Sequence, residues 1–149
     1  TTPMNKANAP DGKPALYAGN VTYMDYLVGK LVAAVDKLGL KEKTLIVFTG
    51  DNGSASSGIL NGEPYPKGKG RQADWGAHVP FIVRAPFLNK GGVVSRDLID
   101  FTDLYPTFLD LAGVTPPKTL KLDGKSFVPS LRGTSSIRSQ TAVYKCRKP

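Results

Sequence analysis

The chain has 149 residues, 40% of them hydrophobic, which suits one globular domain and is short for two. Its 20 Lys and Arg against 12 Asp and Glu give a formal charge of +8, a balance that favours anionic partners such as a sulfated glycan, a nucleic acid or an acidic protein surface. No apolar run approaches the ~20 residues that span a bilayer, Thr1 to Pro14 lacks the pattern of a signal peptide, and the single cysteine, Cys146, excludes an internal disulfide.

Residues 1 to 15 lack periodicity and read as an extended lead-in to an α/β core segment over 16–113, with 114–149 opening a C-terminal region. Val21, Met24, Val28, Leu31, Val35 and Leu38 recur in steps of three and four and predict one apolar helix stripe, with Gly39 as its stop. Thr44 to Thr49 is short, continuous and β-branched, as expected of a buried strand in a parallel sheet covered on both faces. Gly50 to Gly76 is rich in Gly, Ser, Pro and Lys and reads as a long functional loop. A second strand is expected at Val79 to Val83 and a short one at Val93 to Ser95. A helix is expected from Phe101 to Ala112, with Thr102 as cap, Pro106 near the first turn and Gly113 as stop.

In open α/β sheets ligands bind beyond the carboxyl ends of the strands, so the residues after Thr49 are the first candidates. Gly50-Asp51-Asn52-Gly53 offers a carboxylate and a carboxamide, two hard oxygen donors on one turn, between glycines that let the backbone aim them at one cation. An Asx turn that merely closes the strand is the alternative reading of the same residues. His78 is the only histidine and, on the way into a strand, reads as structural; Cys146 reads as an incidental surface residue. The basic residues are not interleaved with aromatic ones as in single-strand binders, which argues against nucleic acid.

Four blocks, in order, resemble the sulfatase family. Tyr17 to Gly53 is similar to the segment ending in the family's Asp-Asn-Gly metal motif, and Lys69 to Val83 to its lysine loop and Val-Pro strand. Asp100 to Gly113 resembles its Asp-x-x-Pro-Thr helix, and Leu122 to Ser126 its Asp-Gly-x-Ser turn. Asp74-Trp75-Gly76 and His78 depart from the Glu-Gly-Gly and Arg of many relatives. The resemblance implies an alkaline-phosphatase-like α/β sandwich with a mostly parallel central sheet, and hydrolysis of aryl or carbohydrate sulfates beside a calcium ion. It further implies that Asp51 and Asn52 are metal ligands and that Lys69 is the catalytic, sulfate-contacting lysine, with Lys67 as a nearby rival for that role. A sulfated small molecule or glycan is the partner it suggests, in a secreted, periplasmic or lysosomal setting. The family's formylglycine arises from a Cys/Ser-x-Pro-x-Arg stretch with no counterpart in these residues, so the chain is expected to be an inactive fragment of a sulfatase. Two rival readings stand beside it: a phosphonate or phosphodiester hydrolase of the same superfamily, and a non-catalytic basic module that binds sulfated glycan.

Overall fold

A computed structural model describes residues 13–138, which fall into two compact units divided between Thr44 and Leu45. Residues 1–12 of the expected lead-in, and Cys146 with the basic cluster around it, lie outside the described residues.

The first unit is built on helix α1, Lys13–Lys37. It begins earlier than the sequence suggested, because Pro14 falls in the first turn, where its missing N–H has no helical partner to lose. Its end is as expected. Gly39 has φ +70°, its N–H donates to the Asp36 carbonyl, and the Leu40 N–H donates to the Val35 carbonyl, the paired bonds of a Schellman motif. The expected apolar stripe is not buried in the described structure: Leu31 and Leu38 are 68% and 71% exposed.

The second unit holds every strand described. β1, Ile46–Thr49, pairs with β4, Phe81–Arg84, in register Ile46 to Arg84 through Thr49 to Phe81. The pairing is antiparallel and β1 is only half-buried throughout, which corrects the expectation of a parallel strand covered on both faces. The long loop also contains structure that was not anticipated. β2, Gly58–Leu60, and β3, Glu63–Tyr65, form an antiparallel hairpin. Its two-residue turn is Asn61-Gly62, both at positive φ, as a type I′ turn requires. A one-turn helix, α2, covers Asp74–Ala77. Val93 to Ser95 is not a strand, and Val93 and Val94 are 80% and 92% exposed. Without a neighbour to pair with, β-branched residues alone do not make a strand.

The expected C-terminal helix is a 3-10 turn, Phe101–Asp103, leading into α3, Leu104–Leu111. Asp100, and not Thr102, is its cap: the Asp100 carboxylate accepts from Thr102 N–H, and Asp103 accepts in return from Asp100 N–H, a reciprocal capping box. Pro106 sits in the first turn of α3, as expected, and Gly113 ends the helix with the same paired bonds as Gly39.

Asp103 and Thr107 are fully buried, and they join α3 to the turn that precedes α4, Val128–Leu131. The Asp103 carboxylate accepts from Lys125 N–H at 2.8 Å and is paired with Arg138. The Thr107 hydroxyl donates to the Asp103 carbonyl at 2.6 Å and accepts from Phe127 N–H at 3.0 Å. Ser126 donates to Asp110 at 2.5 Å. Residues 103, 107 and 110 share one helix face, so this polar face binds the turn through the Lys125 and Phe127 N–H groups and the Ser126 hydroxyl. Phe127, 1% exposed, completes the core with Ala85 and Val128 and meets Phe81 of β4 edge-on, with ring centres 5.6 Å apart. That contact ties the strand pair to the helical end.

Candidate functional site

The carboxyl end of β1 is held by the strand beside it. Gly50 N–H donates to the Pro80 carbonyl at 3.3 Å, which extends the β1–β4 ladder by one bond and sets Asp51 and Asn52 just beyond it. Asp51 is exposed and Asn52 half-buried. The Asn52 amide donates to the Gly53 carbonyl at 3.2 Å, which leaves its oxygen as the atom able to face a cation.

Three chain segments then converge through glycines. Gly53 N–H donates to the Gly76 carbonyl at 3.0 Å, and a Cβ on Gly53 would stand 2.0 Å from the Trp75 carbonyl oxygen. A Cβ on Gly68 would stand 1.7 Å from that same oxygen, and one on Gly76 would stand 2.1 Å from the Arg71 carbonyl oxygen. One peptide group, Trp75–Gly76, is therefore wedged between the metal-motif turn and the lysine loop, and side chains larger than hydrogen would force the segments apart. The lysine loop is also tied directly to the turn, because Gly68 N–H and Lys69 N–H both donate to the Ser54 carbonyl, at 2.9 and 3.0 Å.

Lys69 occupies a defined corner. Arg71 N–H donates to the Gly68 carbonyl at 2.9 Å, closing a β-turn with Lys69 and Gly70 at its centre, and Gly70 has φ +78°, the left-handed value that a type II turn demands there. Lys67 lies outside this turn, before the bonds to Ser54. Both lysines are exposed, so burial does not distinguish them; the backbone anchors the one at position 69. His78 is not a core residue. It follows α2, its side chain is 77% exposed, and its ring lies 3.6 Å from Asp74 as an i,i+4 surface pair.

The donor set at the turn has the chemistry of a hard cation's ligands but supplies only part of a shell. Calcium takes ~6 to 8 oxygens, and among the described residues no group of three or more His, Cys, Asp or Glu side chains is placed to hold a metal. Asp51 and Asn52 fit as two ligands of a larger set. Beyond Asp51, Asn52 and Lys69, the residues that assemble this site are Gly53, Ser54, Gly68 and Gly76. The sequence marks Gly53 only as a source of backbone freedom, and nothing in it singles out the close approach of Gly68 and Gly76 or the Ser54 carbonyl.

A family model described as Sulfatase matches residues 2–114. Mouse steryl-sulfatase is 35% identical over 130 residues, which cover 78% of this chain and 20% of that protein. Human arylsulfatase D is 35% identical over 139 residues, covering 87% and 23%. Dog N-acetylgalactosamine-6-sulfatase is 34% identical over 122 residues, covering 78% and 23%. The chain thus spans about a fifth to a quarter of the length of the curated relatives it matches. No helix among the described residues is long and apolar enough to cross a membrane.

Proposed function

The chain belongs to the sulfatase family, and we propose that it is the metal-binding and sulfate-binding part of a calcium-dependent sulfatase that hydrolyses an aryl or carbohydrate sulfate ester. The observation that carries this reading is the glycine-wedged junction, in which Lys69 N–H and Gly68 N–H hang from the carbonyl of Ser54, two residues after Asn52. It fixes the backbone of a lysine relative to a pair of hard oxygen ligands, and both belong to chemistry on a transferring anion.

In this reading Asp51 and Asn52 hold calcium through their side-chain oxygens, with the other ligands supplied from outside this chain. When bound, the ion supplies positive charge at the sulfate oxygens. The Lys69 ammonium faces the same oxygens, where negative charge shifts as the sulfuryl group leaves, and an interaction strengthened at that point lowers the barrier to reaction. The anchored Gly68–Arg71 turn keeps the ammonium from drifting, since misplacement by about 1 Å can cost about 10²-fold in rate. No Cys/Ser-x-Pro-x-Arg stretch occurs in the 149 residues, so the formylglycine nucleophile of the family also comes from elsewhere in the protein. This chain by itself does not turn over sulfate. The antiparallel β1–β4 pair is compatible with a mostly parallel sandwich sheet, because mixed sheets commonly carry antiparallel strands.

The test is turnover by the full-length protein on 4-nitrophenyl sulfate and bis(4-nitrophenyl) phosphate, with and without calcium chelation. Calcium-dependent sulfate hydrolysis, with the phosphodiester nearly inert, is the expected result. The reverse preference assigns the protein to the phosphodiester hydrolases of the superfamily. Salt-sensitive glycan binding with no hydrolysis of either ester makes it a non-catalytic binding module.

A further inference from the structure

The loop that carries Lys69 holds more charge than one sulfate needs. Lys67, Lys69 and Arg71 stand at alternate positions, all three are exposed, and none is in an ion pair among the described residues. The nearby acid Asp74 is turned to His78 instead. On a flexible loop three such cations would spread apart and be solvated. Here the backbone is clamped: Gly68 lies against the Trp75 carbonyl, Gly76 against the Arg71 carbonyl, and the turn between Gly68 and Arg71 is closed by its own hydrogen bond. Like charges held together on a fixed turn raise the local potential and attract an anion with more than one negative group.

With Lys69 at the corner of the turn, Lys67 immediately precedes the turn and Arg71 closes it, so these two flank the corner along the chain. We propose that Lys67 and Arg71 form a second-anion subsite that selects sulfate esters bearing another negative group, a sulfate or a carboxylate, next to the ester that is cleaved. The guanidinium of Arg71 can meet two oxygens of either anion through paired N–H donors, and Lys67 adds a point charge. The inference rests on the reading that Lys69 meets the scissile sulfate.

The experiment uses the full-length protein and three disaccharide substrates with the same scissile sulfate: one with no other charge, one with an added carboxylate, and one with an added sulfate. In the Lys67→Gln/Arg71→Gln double variant, kcat/KM on the doubly anionic substrates falls roughly 10- to 100-fold, mostly through KM, as expected for losing two charge-assisted contacts. On the singly charged substrate it falls less than about threefold, and the selectivity of the wild type shrinks as salt rises. The substrate showing the larger loss identifies the second anion. Equal losses on all three substrates, or no wild-type preference for a second charge, overturn the proposal. Calorimetric binding of the three disaccharides to the calcium-free protein reads the subsite separately. A binding preference that the double variant removes, in a protein that turns over no sulfate, refutes the sulfatase reading and leaves the subsite standing; absence of that preference refutes the subsite.

Discussion

Gly68→Ala tests whether the close approach of the lysine loop to the metal-motif turn matters. The new Cβ would stand 1.7 Å from the Trp75 carbonyl oxygen and 2.6 Å from its carbon, and these are backbone atoms that cannot rotate away. Real Cβ contacts stay beyond 3.0 Å, so the loop must retreat by at least about 1.3 Å. That retreat breaks the hydrogen bonds from Gly68 and Lys69 to Ser54, at about 0.5–1.5 kcal/mol each, and carries Lys69 off its mark. With about 1 Å of misplacement worth about 10²-fold in rate, kcat/KM on an aryl sulfate should fall by roughly 10² or more in the full-length enzyme. Gly70→Ala serves as the control. Its Cβ meets nothing within 4 Å, and its cost is the left-handed φ of +78°, about 1–2 kcal/mol of local strain. Activity and a thermal midpoint are measured on both variants. A Gly68→Ala enzyme with near wild-type kcat/KM would show that the wedged junction does not position the lysine.

Other consequences follow from the same geometry. Thr107→Val keeps the shape of the side chain but removes the acceptor of the buried Phe127 N–H, so thermal unfolding should show a loss of about 1–3 kcal/mol that Thr107→Ser restores; an unshifted Val variant would mean the bond is dispensable. With only two ligands, the 149-residue chain should bind calcium no more tightly than about 10⁻⁴ M by calorimetry, and submicromolar binding that survives Asp51→Ala would remove the pair from the metal site. The Asp97 carboxyl is held below its usual range chiefly by the Ser130 hydroxyl, with Ser136 and Ser95 adding to the effect against desolvation. A lowered folded-state pKa stabilises fully above the unfolded carboxylate value near 3.8 and is lost as pH falls through the folded value, so Ser130→Ala should raise the Asp97 midpoint in an NMR titration.

Local patterns in the sequence were legible where the physics is local. Gly39 and Gly113 end helices because a left-handed residue closes the last turn, and Asp51-Asn52 lies at a strand's carboxyl end because the apolar run before it stops there. The direction of the β1–β4 pairing was not legible, since it depends on how residues more than 30 positions apart meet, and an apolar run carries no sign of its partner's direction. The β2–β3 hairpin had its signal in Asn61-Gly62, but Pro64 and the exposed flanks hid the strand pattern around it. Asp100 and Thr102 are both good caps in the abstract, and Asp100 holds the position because Asp103 returns the bond. Asp103 itself reads as a surface residue by type, and it is buried because Lys125, Asp100 and Arg138 together satisfy its carboxylate. The site followed the same division: Asp51-Asn52 and Lys69 were readable as candidates, and the close approach of Gly53, Gly68 and Gly76 was not, because it is a property of three segments at once.

The central claim is that the anchored lysine, and not its neighbour, faces the transferring sulfuryl group. Kinetics of Lys69→Ala and Lys67→Ala in the full-length enzyme, on a singly charged aryl sulfate at two salt concentrations, test it most directly. Losing a donor aimed at the developing charge should cost about 3–4 kcal/mol, so kcat/KM for Lys69→Ala should fall by roughly 10²–10³ with little dependence on salt. Lys67→Ala should lose less than about threefold, and that loss should shrink as salt screens its long-range attraction. A larger, salt-insensitive loss for Lys67→Ala would contradict the assignment.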